Sequence, residues 1–396
     1  MERLSRLAIL LLVAFVVFAA PYCALWAANA PLNGEYFVYV GTYTRKTSKG
    51  VYAFRFHSSS GKLTALGLVA EIPSPSFIAA NPNGRFLYAS NEREYNEAMG
   101  NTVSAFAIDP ETGRLTLLKR TPSAGDGPAH IVVDSTGKAL LVNNYRGGNV
   151  AVLPIEADGT LGEATSVDQH HGQGGDPSRV AGPHPHSGAL SPDNRFLLTT
   201  DSGLDQVMVY RFDAAKRTIV PSRSPFFQEP PANAPWHVNF HPSGKFAYAT
   251  NETTSVLTAF SFSEPDGTLR LIQTVSTVPE GVKTYGPGNG PAEVRVDRAG
   301  KFLYVSNRGH DSIGVFAIDH AKGTLSLVEH VPTGGKNPRS MTFDPTGNYL
   351  LAGNGSSNNL VAFKVDSKTG RLTSTGQALD VPEPASIVFV PAKAAH

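Results

Sequence analysis

Three side-chain types able to carry out hydrolysis stand at matching places in this 396-residue chain. His186 ends Pro183-His-Pro-His186, Glu252 ends Tyr-Ala-Thr-Asn-Glu252, and Arg308 ends Tyr-Val-Ser-Asn-Arg308. A neutral imidazole or a carboxylate can take a proton from water, while a guanidinium can stabilise an oxyanion or grip an anionic substituent. Such a set suits attack on an activated ester. Asp201, Trp236, His237, Glu293, Arg295, Asn307 and Arg339 are the candidate substrate-binding residues around that trio. Residues two apart in a strand share a face, so Glu293 and Arg295 should point the same way. The competing reading makes Glu252, Arg308, Glu293 and Arg295 ion pairs that fill a wet channel.

His170, His171, His184 and His186 invite a metal reading. Two histidines at i and i+2 in a Gly/Pro-rich loop give poor ligand geometry, and no carboxylate spacing completes a known site. No metal and no other cofactor is expected.

These residues must be positioned by a repeat. Pro75-Ser-Phe-Ile-Ala-Ala-Asn-Pro-Asn-Gly-Arg-Phe-Leu-Tyr-Ala-Ser-Asn91 is echoed by Ala292-Glu-Val-Arg-Val-Asp-Arg-Ala-Gly-Lys-Phe-Leu-Tyr-Val-Ser-Asn307, and related units start near Pro128, Pro185, Pro235, Pro291 and Pro338. The period of about 50 residues lies in the propeller range. Each unit reads as four strands, a to d, joined by Gly-containing turns. One such sheet has two bare edges and little core, so several must pack around an axis. Six complete units follow Ser74; strands b, c and d of another lie between Tyr36 and Val69, and its missing strand a is Ala385–Val390. The expected fold is therefore all-β, a seven-bladed β-propeller of four-stranded antiparallel blades whose ring is closed by N- and C-terminal strands sharing one blade. The starts of strands a and the ends of strands b then surround one mouth of the channel. Asn91, Asn143, Asn251, Asn307 and Asn354 recur at strand-b ends, where a shared hydrogen bond to the adjoining loop would explain them.

Residues 1–30 read as a signal peptide, with Arg3 and Arg6, an apolar run from Leu7 to Ala20 and Ala28-Asn29-Ala30 as a cleavage site. The run is short for a bilayer span, so export to the periplasm or medium without stable membrane insertion is expected. Residues 31–396 would form the single propeller domain. Cys23, the only cysteine, lies in the leader, which excludes a disulfide or thiolate chemistry in the mature chain. A net charge of +1 creates no global field for nucleic acid. The expected partner is a small lactone or anionic sugar.

The sequence resembles the bacterial lactonase family that includes cycloisomerase-2-type 6-phosphogluconolactonases and the fungal carboxy-cis,cis-muconate cyclases. The likeness runs from about Tyr36 to Pro391 and rests on Tyr39-Val-Gly-Thr-Tyr-Thr44, Gly182-Pro-His-Pro-His-Ser187, Val305-Ser-Asn-Arg-Gly-His-Asp-Ser-Ile313 and Gly335-Lys-Asn-Pro-Arg339. The resemblance implies a seven-bladed propeller with a metal-independent site at the channel mouth. It matches the family's site histidine to His186, its acidic residue to Glu252 and its second arginine to Arg308. The family's first arginine falls at Trp236, which cannot act as a charged fork donor. Arg295 or Arg339 would then bind the anion, the substrate would differ, or activity would be lost; in an active enzyme His186 or Glu252 would activate water and Arg308, helped by Arg295, would stabilise the developing charge. Sugar-lactone hydrolysis is the leading expectation; a non-enzymatic binding propeller resembling the Tyr-Val-Thr-Asn repeat proteins and a muconate-type cycloisomerase are the alternatives.

Overall fold

The computed structural model describes residues 34–92, 101–175, 182–282 and 290–392. The proposed leader at residues 1–30 lies outside them. The described residues form seven four-stranded antiparallel sheets. In the shared blade, which we number 1, the C-terminal strand Pro384–Pro391 is innermost and Glu35–Thr42, Gly50–His57 and Lys62–Glu71 follow outward. The chain ends thus close the ring through ladder hydrogen bonds, which pair Tyr36 with Pro391 and Val40 with Ile387.

Apolar residues collect between the blades. Seven clusters form the core, each shared by two neighbouring blades; one joins Phe86, Tyr88 and Val103 of blade 2 to Ile131, Leu140 and Val142 of blade 3. Strand b is buried on both faces, as Ala-Leu-Leu-Val-Asn-Asn (139–144) and Phe-Leu-Leu-Thr-Thr-Asp (196–201) illustrate. Burying each large apolar side chain contributes roughly 1.5–3 kcal/mol. A repeated staple adds direction: the hydroxyls of Tyr39, Tyr88, Tyr248 and Tyr304 donate to the carbonyls of Gly113, Gly159, Gly323 and Gly370, each in the c–d turn of the next blade. At Gly159, for example, φ is +86° and a Cβ would come within 2.3 Å of Phe86, so glycine is needed for both turn and contact.

One irregularity bears directly on the site. In six blades the a–b register shifts at the head of the inner strand, just after its leading proline or where the shared blade meets Thr42. Such bulges re-aim side chains at a sheet rim.

Candidate active site at the channel mouth

The bulge decides which side chains reach the mouth. In blades 4 to 7 the residue after the leading proline is His186, Trp236, Ala292 and Arg339. His186, Trp236 and Arg339, with Tyr43, Ser76, Phe77, Ala129, His237 and Ala385, line an open depression of about 270 Å³.

The His186 ring stacks on the Trp236 indole, with centroids 3.5 Å apart and planes inclined by 26°. Its Nδ1 donates to the Trp236 carbonyl at 2.9 Å, which leaves Nε2 as the acceptor nitrogen. Burial holds its pKa well below the usual histidine value; His237, Arg339 and His130 push the same way, against the one carbonyl bond. His186 is therefore a neutral acceptor at pH 7.

His237, next to Trp236, is built differently. Its Nδ1 donates to Glu293 Oε1 at 3.0 Å, and Glu293 Oε2 lies 3.3 Å from Arg295 Nη2. Burial alone would raise the Glu293 pKa, but Arg295 and His237 outweigh it and hold the carboxyl below its ordinary range. Arg295 Nε donates to the Met341 carbonyl. Glu293 and Arg295 meet, as their spacing predicts, and neither is among the residues that line the depression.

Glu252 and Arg308 form a second unit. Arg308 Nη2 lies 2.7 Å from Glu252 Oε1, both side chains are almost fully buried, and the guanidinium also donates to the carbonyls of Gly290 and Pro291. Burial pulls the Arg308 pKa down, Glu252 opposes this and Arg339 adds to it. Its guanidinium carbon is 5.1 Å from the centre of the Trp236 ring, so the pair adjoins the indole without lining the depression. Gly290 makes the approach possible: its φ is +103°, and a Cβ there would stand 2.0 Å from the Glu252 carbonyl oxygen.

Arg339 is the guanidinium on the lining itself, 6.0 Å from the Trp236 ring centre. Its Nη2 donates to the Tyr43 hydroxyl at 2.6 Å, and that hydroxyl donates to Glu92. No carboxylate among the described residues forms a salt bridge with Arg339, which leaves its remaining donors for a ligand.

Asp201 and Asn307 lie away from the depression. The register pairs Pro185 with Asp201 as it pairs Pro235 with Asn251 and Pro291 with Asn307, so Asp201 is blade 4's version of the recurrent asparagine. Its Oδ1 accepts from the amides of His184, Gly203 and Leu204, and its Oδ2 meets His170 Nδ1 at 2.6 Å. Asn91, Asn307 and Asn354 donate to loop carbonyls of Pro73, Thr277 and Thr333. In blade 3 that role belongs to Asn144, bonded to Ser123 and paired with Pro128, and not to Asn143. Two adjacent asparagines concealed the frame. The four histidines do not converge either: both ring nitrogens of His170 are occupied, by Asp201 and Tyr210, and His184 Nδ1 donates to the Tyr145 carbonyl. The loop from Asp168 to Gly182, which its sequence suggests as a cap over the mouth, lies partly outside the described residues.

Tyr43 was missed as a site residue, although a signal existed. It follows the end of strand b in blade 1 just as Glu252 and Arg308 do in blades 5 and 6.

The two buried neutral histidines predict acid sensitivity. Burial, then His237 and Arg295, lowers the His130 pKa well below normal, as the environment of His186 does there. The unfolded chain protonates both near pH 6.5, so their contribution is complete above that value and is lost as pH falls below it, by up to about 1.4 kcal/mol per pH unit for each. Thermal melts from pH 7.5 to 5 should show this slope, and His130→Leu should flatten it; an unchanged slope in that variant would contradict the assignment.

Fold and site together define a propeller whose channel mouth carries the groups of a small-ester hydrolase. The family model described as "Lactonase, 7-bladed beta-propeller" matches residues 37–389, and the chain belongs to that family. It is 35% identical to a 6-phosphogluconolactonase of Bacillus subtilis over 90% of this chain and 99% of the relative. A 6-phosphogluconolactonase of Formosa agariphila is 31% identical over 87% and 96% of the two chains. The solved structure of a periplasmic gluconolactonase from Pseudomonas aeruginosa superposes with a TM-score of 0.83 at 32% identity, covering 91% of this chain and all of that one.

Proposed function

We propose that this protein is an exported lactonase that adds water to the ring ester of a sugar lactone at the channel mouth. The observation that carries the reading is the placing of a neutral imidazole, His186, and a guanidinium with no carboxylate partner among the described residues, Arg339, on one lining around the Trp236 indole. The lactone ring lies against the indole. His186 Nε2 accepts a hydrogen bond from the attacking water and fixes its approach. Arg339 stabilises the oxyanion as the carbonyl carbon becomes tetrahedral, a contribution of roughly 3 kcal/mol for one such donor.

Arg339 takes this part instead of Arg295, which is tied to Glu293 and is not on the lining. Arg308 and Glu252, paired beside the indole, fix its position. Export is supported by the leader-like residues 1–30 and by the periplasmic relative.

Protein lacking residues 1–30 should open glucono-δ-lactone or 6-phosphogluconolactone faster than buffer, followed by acid release and corrected for spontaneous opening. Arg339→Ala should lower kcat/KM by about 10²-fold or more. A wild-type rate equal to buffer across a panel of sugar lactones would refute the reading and leave a binding propeller in its place.

A further inference from the structure

We infer that His237, backed by Glu293, is the group that takes the proton from the attacking water, with Glu293 as its positioning residue. This rests on the lactonase reading above and deepens it. The mouth holds two imidazoles, and their partners differ in kind. The Nδ1–H of His186 meets a neutral backbone carbonyl, whereas the Nδ1–H of His237 meets a buried carboxylate at 3.0 Å. A carboxylate behind an imidazole fixes the tautomer and stabilises the imidazolium that forms when the ring accepts a proton. A carbonyl does the first and little of the second.

The dyad is held firmly. Glu293 is 4% exposed, its amide donates to the Ser306 hydroxyl, and its second oxygen is bound by Arg295. The His237 amide donates to Thr250, and the ring belongs to the lining of the depression, with no hydrogen-bond partner for Nε2 among the described residues. Of the titratable groups around the ring, Glu293 and Arg295 come from its neighbour in blade 6, His186 from blade 4 and His130 from blade 3; the ring centres of His186 and His130 lie 5.2 and 5.5 Å away. Glu293 is the one anion in that set.

The step balances without a further reactant. Water oxygen bonds to the lactone carbonyl carbon while its proton passes to His237 Nε2. The tetrahedral intermediate then collapses by breaking the bond from carbonyl carbon to ring oxygen, and the His237 imidazolium returns the proton to that leaving oxygen. The product is the open-chain hydroxy acid. His186 orients the water and keeps no proton.

Steady-state kinetics on glucono-δ-lactone across pH 5–8 test the assignment. In His237→Gln, kcat should fall by about 10²-fold or more while KM changes little. In Glu293→Gln the acid limb of kcat/KM should move to lower pH, because the imidazolium has lost its counter-charge, and Glu293→Asp should recover part of the rate. A merely structural dyad would move neither the limb nor the split between kcat and KM. Should His237→Gln fail to fold, the two Glu293 variants decide. Wild-type kcat and an unmoved acid limb in folded variants overturn this inference alone; a wild-type protein that opens no lactone overturns the lactonase reading beneath it.

Discussion

His186→Ala should lower kcat/KM for lactone opening by about 10²-fold while the propeller still folds. The size follows from two losses at one position. The acceptor nitrogen that orients water disappears, and the Trp236 indole loses the ring stacked on it at 3.5 Å. The first loss acts on kcat and the second on KM, because an indole without its stacked neighbour presents a less firmly held face to the sugar ring. His186→Gln separates them: an amide keeps an acceptor but not the aromatic contact. Initial rates of acid release, with the uncatalysed rate subtracted, measure both constants. A kcat within about threefold of wild type for His186→Ala would remove this residue from the chemistry.

The largest stability effect belongs to Glu252. Replacing it with glutamine leaves the Arg308 guanidinium, 1% exposed, without its counter-charge, and removing one partner of a buried pair costs about 3–5 kcal/mol. Two carbonyls still accept from Arg308, but neither cancels a charge. Urea unfolding of Glu252→Gln should show this loss as a lower midpoint with little change in slope. The double variant Glu252→Leu/Arg308→Leu should regain much of it, since an apolar pair of similar volume avoids the desolvation penalty. A loss below about 1 kcal/mol in the single variant would mean that solvent reaches the pair, as at exposed ion pairs.

The repeat made most of the architecture legible from residue order alone. Turn residues and alternating apolar runs recur with one period, so blade number, strand order and the split blade followed from local patterns that need no knowledge of distant contacts. The charged mouth was legible in the same way, because Glu252 and Arg308 depart from a position whose equivalents could be compared. The comparison slipped where the repeat became ambiguous. Asn144, not Asn143, fills the recurrent place in blade 3, and the Asp201 carboxylate is taken up by the amides of His184, Gly203 and Leu204.

Sequence by itself determined the blades, their number and the types of residue available at one rim, since these depend on periodicity and turn chemistry along the chain. Tertiary structure alone decided which of those residues face the depression. The register shift at the head of the inner strands sets the direction of each side chain, and a shift of one residue turns a side chain to the other face. Ring closure brings Arg339, Trp236 and His186 onto one lining, leaves Arg295 off it and pairs His237 with a carboxylate 56 positions along the chain. Such pairings arise only when separate blades close around one axis, because charges this distant in sequence acquire a mutual distance only from the ring.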